Sequence, residues 1–502
     1  MAWSENESRR RVRAFLQQTP KIAGALPTYS GGDLRVKQRA MLREAAKSGP
    51  LDRLSPDTAI VVDAVHVYVR LLGFDEQLLE QSRETEASHR RALSFLHFYY
   101  GALDRIVADG GGIRVDFHAA RLHFIVAEPA GQPHARERIE RALAIVEALE
   151  EVAAAAPKRL QIGVQRAPLR VGVDHGPCIA IANDSGHEMD PVFLGTPANL
   201  AAKLADGDGA GLFLSPAARA ALGLPIVAGA SHEAPISVRL QARALGQRIA
   251  QKAVDLWEQN HVTIGEAAAN FIFHSTSPPL SDVKFAELKP SYSVRMEMAA
   301  IFADIDKFTA YVDQALKTGS GAEVVRTMFV LREEQRAVLK RDMGAKRLRF
   351  IGDCVVGLLA EGSTSQTDAI KTIEQAVLCA AALHGSLEVC RQEMPEAQTL
   401  SLQVGIAYGQ TPMTRLGLRG EHSVRCAASK AVIDAERLQG VARQKETRLA
   451  PSAICAAGAR VKRVAGDGGA ITASYAALAV ALGAENATSA QDQPEPFRAH
   501  AE

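Results

Sequence analysis

Two aspartates in the second half of the chain have the residue type and the placement expected of a metal site. Asp304 lies in the run IFADID and Asp353 follows the run LRFIG, and each acid stands where an apolar strand should end. A hairpin or a crossover connection would bring two such strand ends side by side. Carboxylate oxygens are the hard ligands that Mg²⁺ and Mn²⁺ prefer. The pair therefore predicts a site for two divalent ions and a nucleoside triphosphate, at which the ions would activate a hydroxyl and neutralise phosphate charge.

The composition favours two or three globular domains that bind a small molecule or another protein. With 502 residues and 47 % hydrophobic residues, the chain can bury more than one large core. Its 58 basic and 57 acidic residues nearly cancel, so we expect neither nucleic acid nor a membrane surface as a partner. The chain shows no signal peptide and no apolar run long enough to span a bilayer, which predicts a cytoplasmic location. The six scattered cysteines lack metal-ligand spacing and are predicted to stay reduced.

The order of predicted elements repeats once along the chain. Each half is predicted to run through a strand, helices, a hairpin, a long helix and a further strand. The segments 169–182 and 402–416 are similar in sequence, and so are the segments 195–207 and 429–440. We therefore predict one α/β fold present twice.

Five segments follow from this duplication. They are a helical arm at 1–50, a degenerate domain at 51–235, a linker at 236–290, a second domain at 291–485 and a disordered tail at 486–502. Within the first domain, the run 58–73 is predicted to begin as a strand and to continue as a helix.

The sequence motifs of both halves resemble those of the class III nucleotide cyclases, the family of the adenylate and guanylate cyclase catalytic domains. The second half contains, in the family's order, FADIDKFT (302–309), IGDC (351–354) and VGIAYG (404–409), followed by a helix of the kind V-N-x-A-x-R-L. The resemblance implies two ferredoxin-like domains with nucleotide sites in the cleft between them. In each site one domain supplies metal-binding aspartates, and the other supplies an asparagine and an arginine.

The second half keeps the metal-binding part of this pattern. The resemblance implies that Asp304 and Asp353, assisted by the backbone carbonyl of Ile305, hold two divalent ions, Mn²⁺ or Mg²⁺. In its later helix this half has Ile433 where the family has asparagine, although Arg437 persists.

The first half keeps the complementary part. Asn199 is expected to orient the ribose, and Lys203, which replaces the arginine, is expected to place a positive charge near the α-phosphate. This half has Ala120 near the second aspartate position and is expected to retain Asp63 at the first, so that Asp63 and Arg437 would belong to a degenerate second site. The implied assembly is an intramolecular pseudo-heterodimer, for which a monomer suffices.

The residues expected to select the base depart from the purine cyclases of the family. Four residues before the second aspartate, adenylate cyclases have lysine and guanylate cyclases have glutamate, whereas the second half has Arg349 and the first half has Asp116. Tyr311 follows the metal strand by one helical turn, where its ring either narrows a base pocket or packs in a helix core. These features resemble the pyrimidine cyclases of the Pycsar anti-phage systems, whose cyclic UMP or cyclic CMP activates a separate effector protein. The preferred interpretation is a uridylate cyclase that acts on UTP.

Two alternatives remain open. The first is an adenylate cyclase that makes cyclic AMP. The second is a non-catalytic pseudo-cyclase that binds a nucleotide and signals to a partner. Turnover that depends on Asp304 would exclude the second alternative.

Overall fold

Each half of the chain is built on one mostly antiparallel sheet that carries long helices on one face. The computed structural model describes residues 2–22, 25–31, 51, 54, 58–159, 168–182, 191–227, 233–259, 270–417 and 423–484.

The first half, together with the N-terminal helix, contains these elements: α1 (Glu5–Gln17), β1 (Ala59–Leu71), α2 (Phe74–Gln77), α3 (Glu86–Asp109), β2 (Ile113–His118), β3 (Arg121–Val126), α4 (Ala135–Arg159), β4 (Leu169–Ala182), β5 (Pro191–Leu194), α5 (Thr196–Ala205), β6 (Gly211–Leu214), α6 (Pro216–Ala221) and α7 (Ile236–Gln259).

The second half contains these elements: β7 (Phe273–His274), β8 (Ser293–Asp306), α8 (Phe308–Thr318), α9 (Gly321–Ala337), β9 (Lys346–Ile351), β10 (Cys354–Leu359), α10 (Ala369–Glu393), β11 (Ser401–Leu416), β12 (Val424–Ala427), α11 (Lys430–Val441), β13 (Thr447–Leu449), α12 (Pro451–Ala456), α13 (Ala459–Val464), β14 (Ala470–Ile471) and α14 (Tyr475–Leu482).

The two sheets share one strand order. The first runs β2-β3-β1-β4-β5, with β6 also on β4, and the second runs β9-β10-β8-β11-β13-β14, with β12 on β11 and β7 on β8. In each sheet the first long strand, β1 or β8, pairs antiparallel with the second strand of a hairpin on one side and with the later long strand on the other. The predicted α/β fold with two related halves is confirmed.

The predicted change from strand to helix within 58–73 is wrong, because β1 continues as one strand to Leu71. The alternation in VHVYVRL places Val65, Val67 and Val69 on the face covered by α3 and α4, where all three are buried. Valine at every second position suits a strand in the middle of a sheet, and this period of two outweighs the weaker helical pattern.

The N-terminal helix belongs to the second half. α1 packs on α9 and α10, and Arg11 donates to Glu334 at 2.6 Å and to Asp342 at 2.8 Å. Further along, Thr28 forms a bridge with Val61 of β1. The arm therefore crosses from the second half to the first.

The predicted linker at 236–290 contains α7, which packs along α4 of the first half. The contact is close, since a Cβ at Gly246 would lie 2.7 Å from the carbonyl oxygen of Ala144. The predicted tail at 486–502 and residues 32–50 of the predicted arm lie outside the described residues.

Among the described residues, α10 alone is long and apolar enough to cross a membrane. In the fold, 72 % of its most apolar window is buried. This burial is typical of a core helix, and α10 contributes its apolar residues to the main core of the second half.

Candidate active site

Asp304 and Asp353 meet at one end of the second sheet. Asp304 lies near the end of β8, and Asp353 immediately precedes β10, the antiparallel neighbour in which Val355 faces Ala303. Burial, with the charge of Asp306 adding to it, raises the pKa of Asp304 to about 6. Burial and then the charge of Asp304 raise the pKa of Asp353 well above its ordinary value. The strand register therefore brings the two aspartates to the same end of the sheet, and their joint role in binding metal stays a prediction.

The turn that presents Asp353 is tightly specified. Between β9 and β10 the chain reverses over Gly352 and Asp353 alone, since Ile351 faces Cys354. Gly352 has a φ of +60°, a conformation that glycine adopts without strain and that tight hairpin turns require. This explains why glycine precedes the aspartate in the sequence IGD.

Arg332, which the sequence analysis missed, supports this turn. Its side chain extends from α9, is 7 % exposed, and donates from Nη2 to the carbonyl oxygen of Gly352 at 2.5 Å. The guanidinium carbon lies 4.8 Å from the ring centre of Phe350. The positive charge of Arg332 also opposes the rise in the pKa of Asp353. The sequence alone does not predict this contact, because the end of α9 and the whole of β9 separate Arg332 from Gly352 in the chain.

The residues at this end of the sheet fit a divalent ion. Neither Asp304 nor Asp353 has an ion-pair partner within the part of the chain that the structure describes, so a cation would neutralise two adjacent negative charges. Across the described residues there is no cluster of three or more His, Cys, Asp or Glu side chains able to hold a metal. Mg²⁺ commonly uses one or two carboxylates together with water and substrate phosphates. Ile305 is buried, with its side chain in the core on the helix-covered face, and its carbonyl as a further ligand stays a prediction.

Asn199 reaches this same end of the sheet from the first half. Its helix, α5, approaches the first turns of α8, where the backbone N–H of Thr196 donates to Asp313 at 3.0 Å. Asn199 donates from Nδ2 to Oγ1 of Thr309 at 2.5 Å. Since α8 starts two residues after β8 ends, these contacts place Asn199 beside the end of the strand that carries Asp304.

Lys203 lies four residues after Asn199, on the same side of α5 one turn further along. It is exposed. The structure leaves its charge free to approach a bound anion, and its contact with a phosphate stays a prediction.

Two glycines show how the halves correspond. A Cβ at Gly172 would lie 2.1 Å from the carbonyl oxygen of Ala201, and a Cβ at Gly405 would lie 2.0 Å from that of Ala435. In each half, a helix therefore lies directly on the later long strand at a position that only glycine can occupy. By this correspondence α5 is the counterpart of α11.

The correspondence of helices agrees with the sequence analysis. Asn199 takes the place of Ile433, and Lys203 takes the place of Arg437. In the second half, Ile433 packs against the core of the first half. Arg437 is 62 % exposed and lies 3.9 Å from Asp434 of its own helix.

The correspondence of strands corrects one prediction. The residue two positions before Gly405 faces Asp304, and the residue two positions before Gly172 faces Arg70. The counterpart of Asp304 is therefore Arg70, and the predicted placement of Asp63 is wrong by seven residues. The sequence similarity of β4 and β11, carried over to the strands β1 and β8 that pair with them, would have identified Arg70.

Asp63 has a structural partner of its own. It accepts from Nη2 of Arg138 at 2.9 Å, and the side chain of Arg138 is fully buried. Arg138 also donates to the carbonyl oxygens of Pro129 and Gly131. Asp63 therefore neutralises a buried cation within the first half.

The second cleft contains ion pairs where a metal site would lie. Arg70 and Ala120 occupy the two aspartate positions. From the other half, Glu436 accepts from Arg121 at 2.7 Å and lies 3.4 Å from Nε2 of His118. Burial alone would raise the pKa of Glu436, but the charges of Arg121 and then His118 lower it to about 2. This cleft carries positive rather than negative charge at the metal positions.

Arg349 and Asp116 contact each other. They occupy corresponding positions of the two halves and pair across the interface, with Nη1 of Arg349 2.6 Å from Oδ1 of Asp116. Arg349 is 1 % exposed and also donates to the carbonyl oxygens of Phe117 and Arg425. These contacts assign Arg349 to the interface between the halves, and base recognition by either residue stays a prediction.

Tyr311 packs between helices. Its hydroxyl lies 3.0 Å from Oγ1 of Thr327 on α9, and its ring centre lies 5.9 Å from that of Phe308. Burial raises the pKa of Tyr311 to about 12. Of the two interpretations of this tyrosine, the contacts favour the helix core.

No protein-family model matches the chain. The chain is 37 % identical over 487 residues to a uridylate cyclase of a Rhizobium species, with 93 % of each chain covered. It is 32 % identical over 435 residues to a uridylate cyclase of Pseudomonas aeruginosa, covering 85 % of this chain and 84 % of that one.

A solved structure matches both halves together. A class III adenylyl cyclase-like ATP-binding protein from Pseudomonas aeruginosa superposes with a TM-score of 0.84 at 29 % identity. The match covers 96 % of this chain and 100 % of that one. The arrangement of the two halves is therefore shared, as well as the fold of each.

Proposed function

Because this chain belongs to the uridylate cyclases, a family of class III nucleotide cyclases, we propose that it converts UTP to 3′,5′-cyclic UMP and diphosphate. In this reaction the ribose 3′ oxygen forms a bond to the α-phosphorus, and the bond from that phosphorus to the diphosphate oxygen breaks. The proton of the hydroxyl is released. The protein is an enzyme of the phosphorus–oxygen lyase class.

One observation carries the proposal beyond family membership. A single cleft gathers Asp304 and Asp353 from one half and, through its contact with Thr309, Asn199 from the other. Two carboxylates that repel each other, opposite a neutral hydrogen-bonding side chain, suit a substrate that arrives with cations and an anionic triphosphate.

Asp304, Asp353 and the carbonyl of Ile305 would hold two divalent ions, Mg²⁺ or Mn²⁺, which would lower the pKa of the 3′ hydroxyl and neutralise phosphate charge. Asn199 orients the ribose so that the 3′ oxygen lies in line with the bond that breaks. Lys203 adds a positive charge near the α-phosphate, where negative charge grows during the reaction.

The cellular setting is a further part of the proposal. The resemblance to anti-phage pyrimidine cyclases supports a role in antiviral defence, in which cyclic UMP acts on a separate effector protein. A cytoplasmic location is part of the same proposal. Since one chain contributes both sides of the cleft, the monomer is sufficient for turnover.

Incubation of the purified chain with UTP, CTP, ATP or GTP and either Mn²⁺ or Mg²⁺ tests the activity. We expect UTP to be the preferred substrate, with cyclic UMP and diphosphate formed in equal amounts. If ATP alone is consumed, the protein is an adenylate cyclase. If a triphosphate binds and none is turned over, the non-catalytic alternative holds.

The Asp304→Asn variant tests the site. Turnover of UTP should be abolished, because one of the two ion-binding carboxylates is neutralised. The melting temperature without divalent ions should not fall, because the change removes one of two like charges that repel each other. Activity assays and thermal denaturation measure the two effects.

The matched control is Asp63→Asn, which changes an acid on the counterpart strand. Asp63 pairs with Arg138 away from the cleft, so this variant should lose stability and keep its turnover per folded molecule. Equal loss of turnover in both variants would contradict the assignment of the site.

A further inference from the structure

A cavity of about 410 Å³ lies between the start of α1, the second half of α10, the strands β13 and β14, and the start of α14. Its floor consists of apolar side chains of the helix-covered core, among them Val377, Leu402 and Leu478. Asp304 points to the opposite face of the sheet, because its neighbour Ile305 belongs to that core. The cavity is therefore separate from the catalytic cleft, and its volume is within the range of about 300–1,000 Å³ typical of small-molecule pockets.

Trp3 forms a wall of this cavity and is held there by specific contacts. Its indole Nε1 donates to Oγ of Ser386 at 2.8 Å, and its ring meets that of Tyr475 edge-on, with ring centres 5.1 Å apart. A Cβ at Gly385 would lie 2.6 Å from the indole, so Trp3 lies directly against α10. An aromatic side chain fixed in this way offers a flat apolar surface to the ring of a ligand.

His384 brings a polar group to this apolar site. Its Nε2 lies 3.1 Å from Oγ1 of Thr447. Burial, and then the charge of Lys445, lower the pKa of His384 to about 4, so the ring is neutral at pH 7 and has one nitrogen that donates and one that accepts. Nδ1 has no hydrogen-bond partner within the described part of the chain, and a ligand that enters the cavity can bond to it.

The charged side chains that line the cavity balance one another. Arg391 and Lys445 lie 2.7 Å and 3.6 Å from the carboxylate of Glu388. The other lining acid, Glu5, pairs with Arg9 of its own helix at 2.8 Å. Two bases and two acids therefore line the cavity, and this balance favours an uncharged ligand.

We propose that this cavity is a second binding site, separate from the catalytic cleft, for an uncharged heteroaromatic molecule of the nucleoside class. The base lies against Trp3 and the apolar floor, and a polar atom on its edge bonds to Nδ1 of His384. The sugar hydroxyls face the rim of the cavity, where Thr472 and Ser474 are exposed. Binding at this site does not depend on the proposed cyclase activity.

A chain of contacts leads from this cavity to the catalytic turn. Ser386, which accepts from Trp3, itself donates to Glu334 of α9 at 3.1 Å. Two residues earlier in α9, Arg332 donates to the turn that presents Asp353. A ligand that contacts Trp3 therefore acts on the helix that supports the metal-binding turn.

The start of β11 provides a second connection. Ser401 lines the cavity and donates to Asp306 at 3.3 Å, two residues after Asp304 in β8. On the premise that the protein cyclises UTP, we expect occupancy of the cavity to change kcat by about fivefold or more, as is typical of coupling between two sites.

Tryptophan fluorescence of the full-length chain tests the binding. The chain contains two tryptophans, so the Trp257→Phe variant reports on Trp3 alone. Titration with uridine, cytidine or adenosine in the absence of metal should change its emission saturably, with half-saturation below about 1 mM for at least one of them. The 5′-monophosphate of the same nucleoside should bind about tenfold more weakly, because the basic side chains of the cavity are already paired.

Variants within the Trp257→Phe background locate the site. His384→Leu should weaken binding about tenfold, because it removes a polar contact to the ligand. Ala381→Leu, which extends a side chain of α10 into the cavity, should abolish binding. The matched control is Asp304→Asn in the catalytic cleft, which should leave the affinity for the nucleoside unchanged.

The proposal is overturned if none of the three nucleosides changes the emission of Trp3 up to about 10 mM, or if Asp304→Asn abolishes the binding. If Ala381→Leu does not fold, an affinity of His384→Leu equal to that of the parent variant overturns it. A bound nucleoside that leaves kcat for UTP within about twofold contradicts the coupling to the catalytic turn. A chain that binds a nucleoside and does not cyclise UTP contradicts the proposed function and supports this site, so the two failures are distinct.

Discussion

At the scale of single residues, the two acids at the end of the second sheet lie in surroundings that disfavour their ionised form. Burial and like charge raise the pKa values of Asp304 and Asp353, and Arg332 offsets this only in part. Stability alone would favour neutral residues at these positions, since buried charges without partners cost free energy. Such perturbed acids in a cleft are typical of functional sites. The counterpart positions Arg70 and Ala120 show that the fold does not need acids there.

Asn199 provides a prediction at this scale. Asn199→Ala should lower kcat for UTP by about 100-fold, because a preorganised polar group that orients the reacting sugar is lost. The melting temperature should change little, because Asn199 is partly exposed. Steady-state kinetics and thermal denaturation measure both effects.

Its matched control is Ile433→Ala, which changes the residue at the same place in α11. This variant should keep the wild-type kcat. A kcat for Asn199→Ala within about twofold of the wild-type value would argue against a role in orienting the substrate.

At the scale of elements, the metal-bearing turn depends on a series of packed helices. Arg332 of α9 holds Gly352, and two residues later in α9 the acid Glu334 pairs with Arg11 of α1. Since Arg11 is 6 % exposed and Glu334 is 1 % exposed, this pair anchors α1 in the second half. The N-terminal helix thereby fixes the helix that supports the site.

Arg11→Ala should therefore destabilise the protein strongly. The change leaves the carboxylates of Glu334 and Asp342 buried without their cation, which costs about 3–5 kcal/mol in free energy of unfolding. Urea denaturation of the full chain measures this difference.

Arg13→Ala is the matched control on the same helix. The side chain of Arg13 is 62 % exposed, and loss of a surface ion pair should cost less than about 1 kcal/mol. Equal destabilisation by the two variants would show that α1 is not anchored through Arg11.

At the scale of the whole molecule, the two halves form two unlike clefts. One joins paired acids to Asn199, and the other joins Arg121 and His118 to Glu436. The second cleft has thus exchanged a metal site for an ion-pair contact between the halves. The two halves are also joined at the other cleft, where Asn199 contacts Thr309 and Thr196 contacts Asp313.

The contact at Glu436 makes stability depend on pH. The folded-state pKa of Glu436 is about 2, below its ordinary value of 4.5. Its contribution is therefore complete above about pH 4.5 and is lost as the pH falls towards 2, and at neutral pH it amounts to about 3 kcal/mol. Glu436→Gln should lower the melting temperature at pH 7, and its difference from the wild type should shrink below pH 4.5.

Thermal denaturation between pH 7 and pH 3 measures this dependence. Glu287→Gln serves as the control, because the Glu287 side chain is 60 % exposed and should give a small difference at every pH. A difference for Glu436→Gln that stays constant across this range would contradict the ion-pair account.

Short stretches of sequence were sufficient to predict several parts of this protein. Asp304 lies at the end of an apolar strand, Gly352 and Asp353 form the turn between two further strands, and Asn199 lies in the first turn of a helix. Each of these signals lies within a few residues, where backbone preferences and alternation act. The resemblance to class III cyclase motifs then extended the prediction from these residues to the reaction.

Other features depended on contacts between distant parts of the chain. Strand register decides whether Asp63 or Arg70 corresponds to Asp304. The local sequence does not decide it, because residues of similar type recur at every second position of an alternating strand. The pairing of Arg349 with Asp116 joins residues 233 positions apart, and the packing of α1 on the second half joins Arg11 to residues more than 300 positions away. Such contacts depend on how two folded sheets face each other, and no local pattern encodes that arrangement.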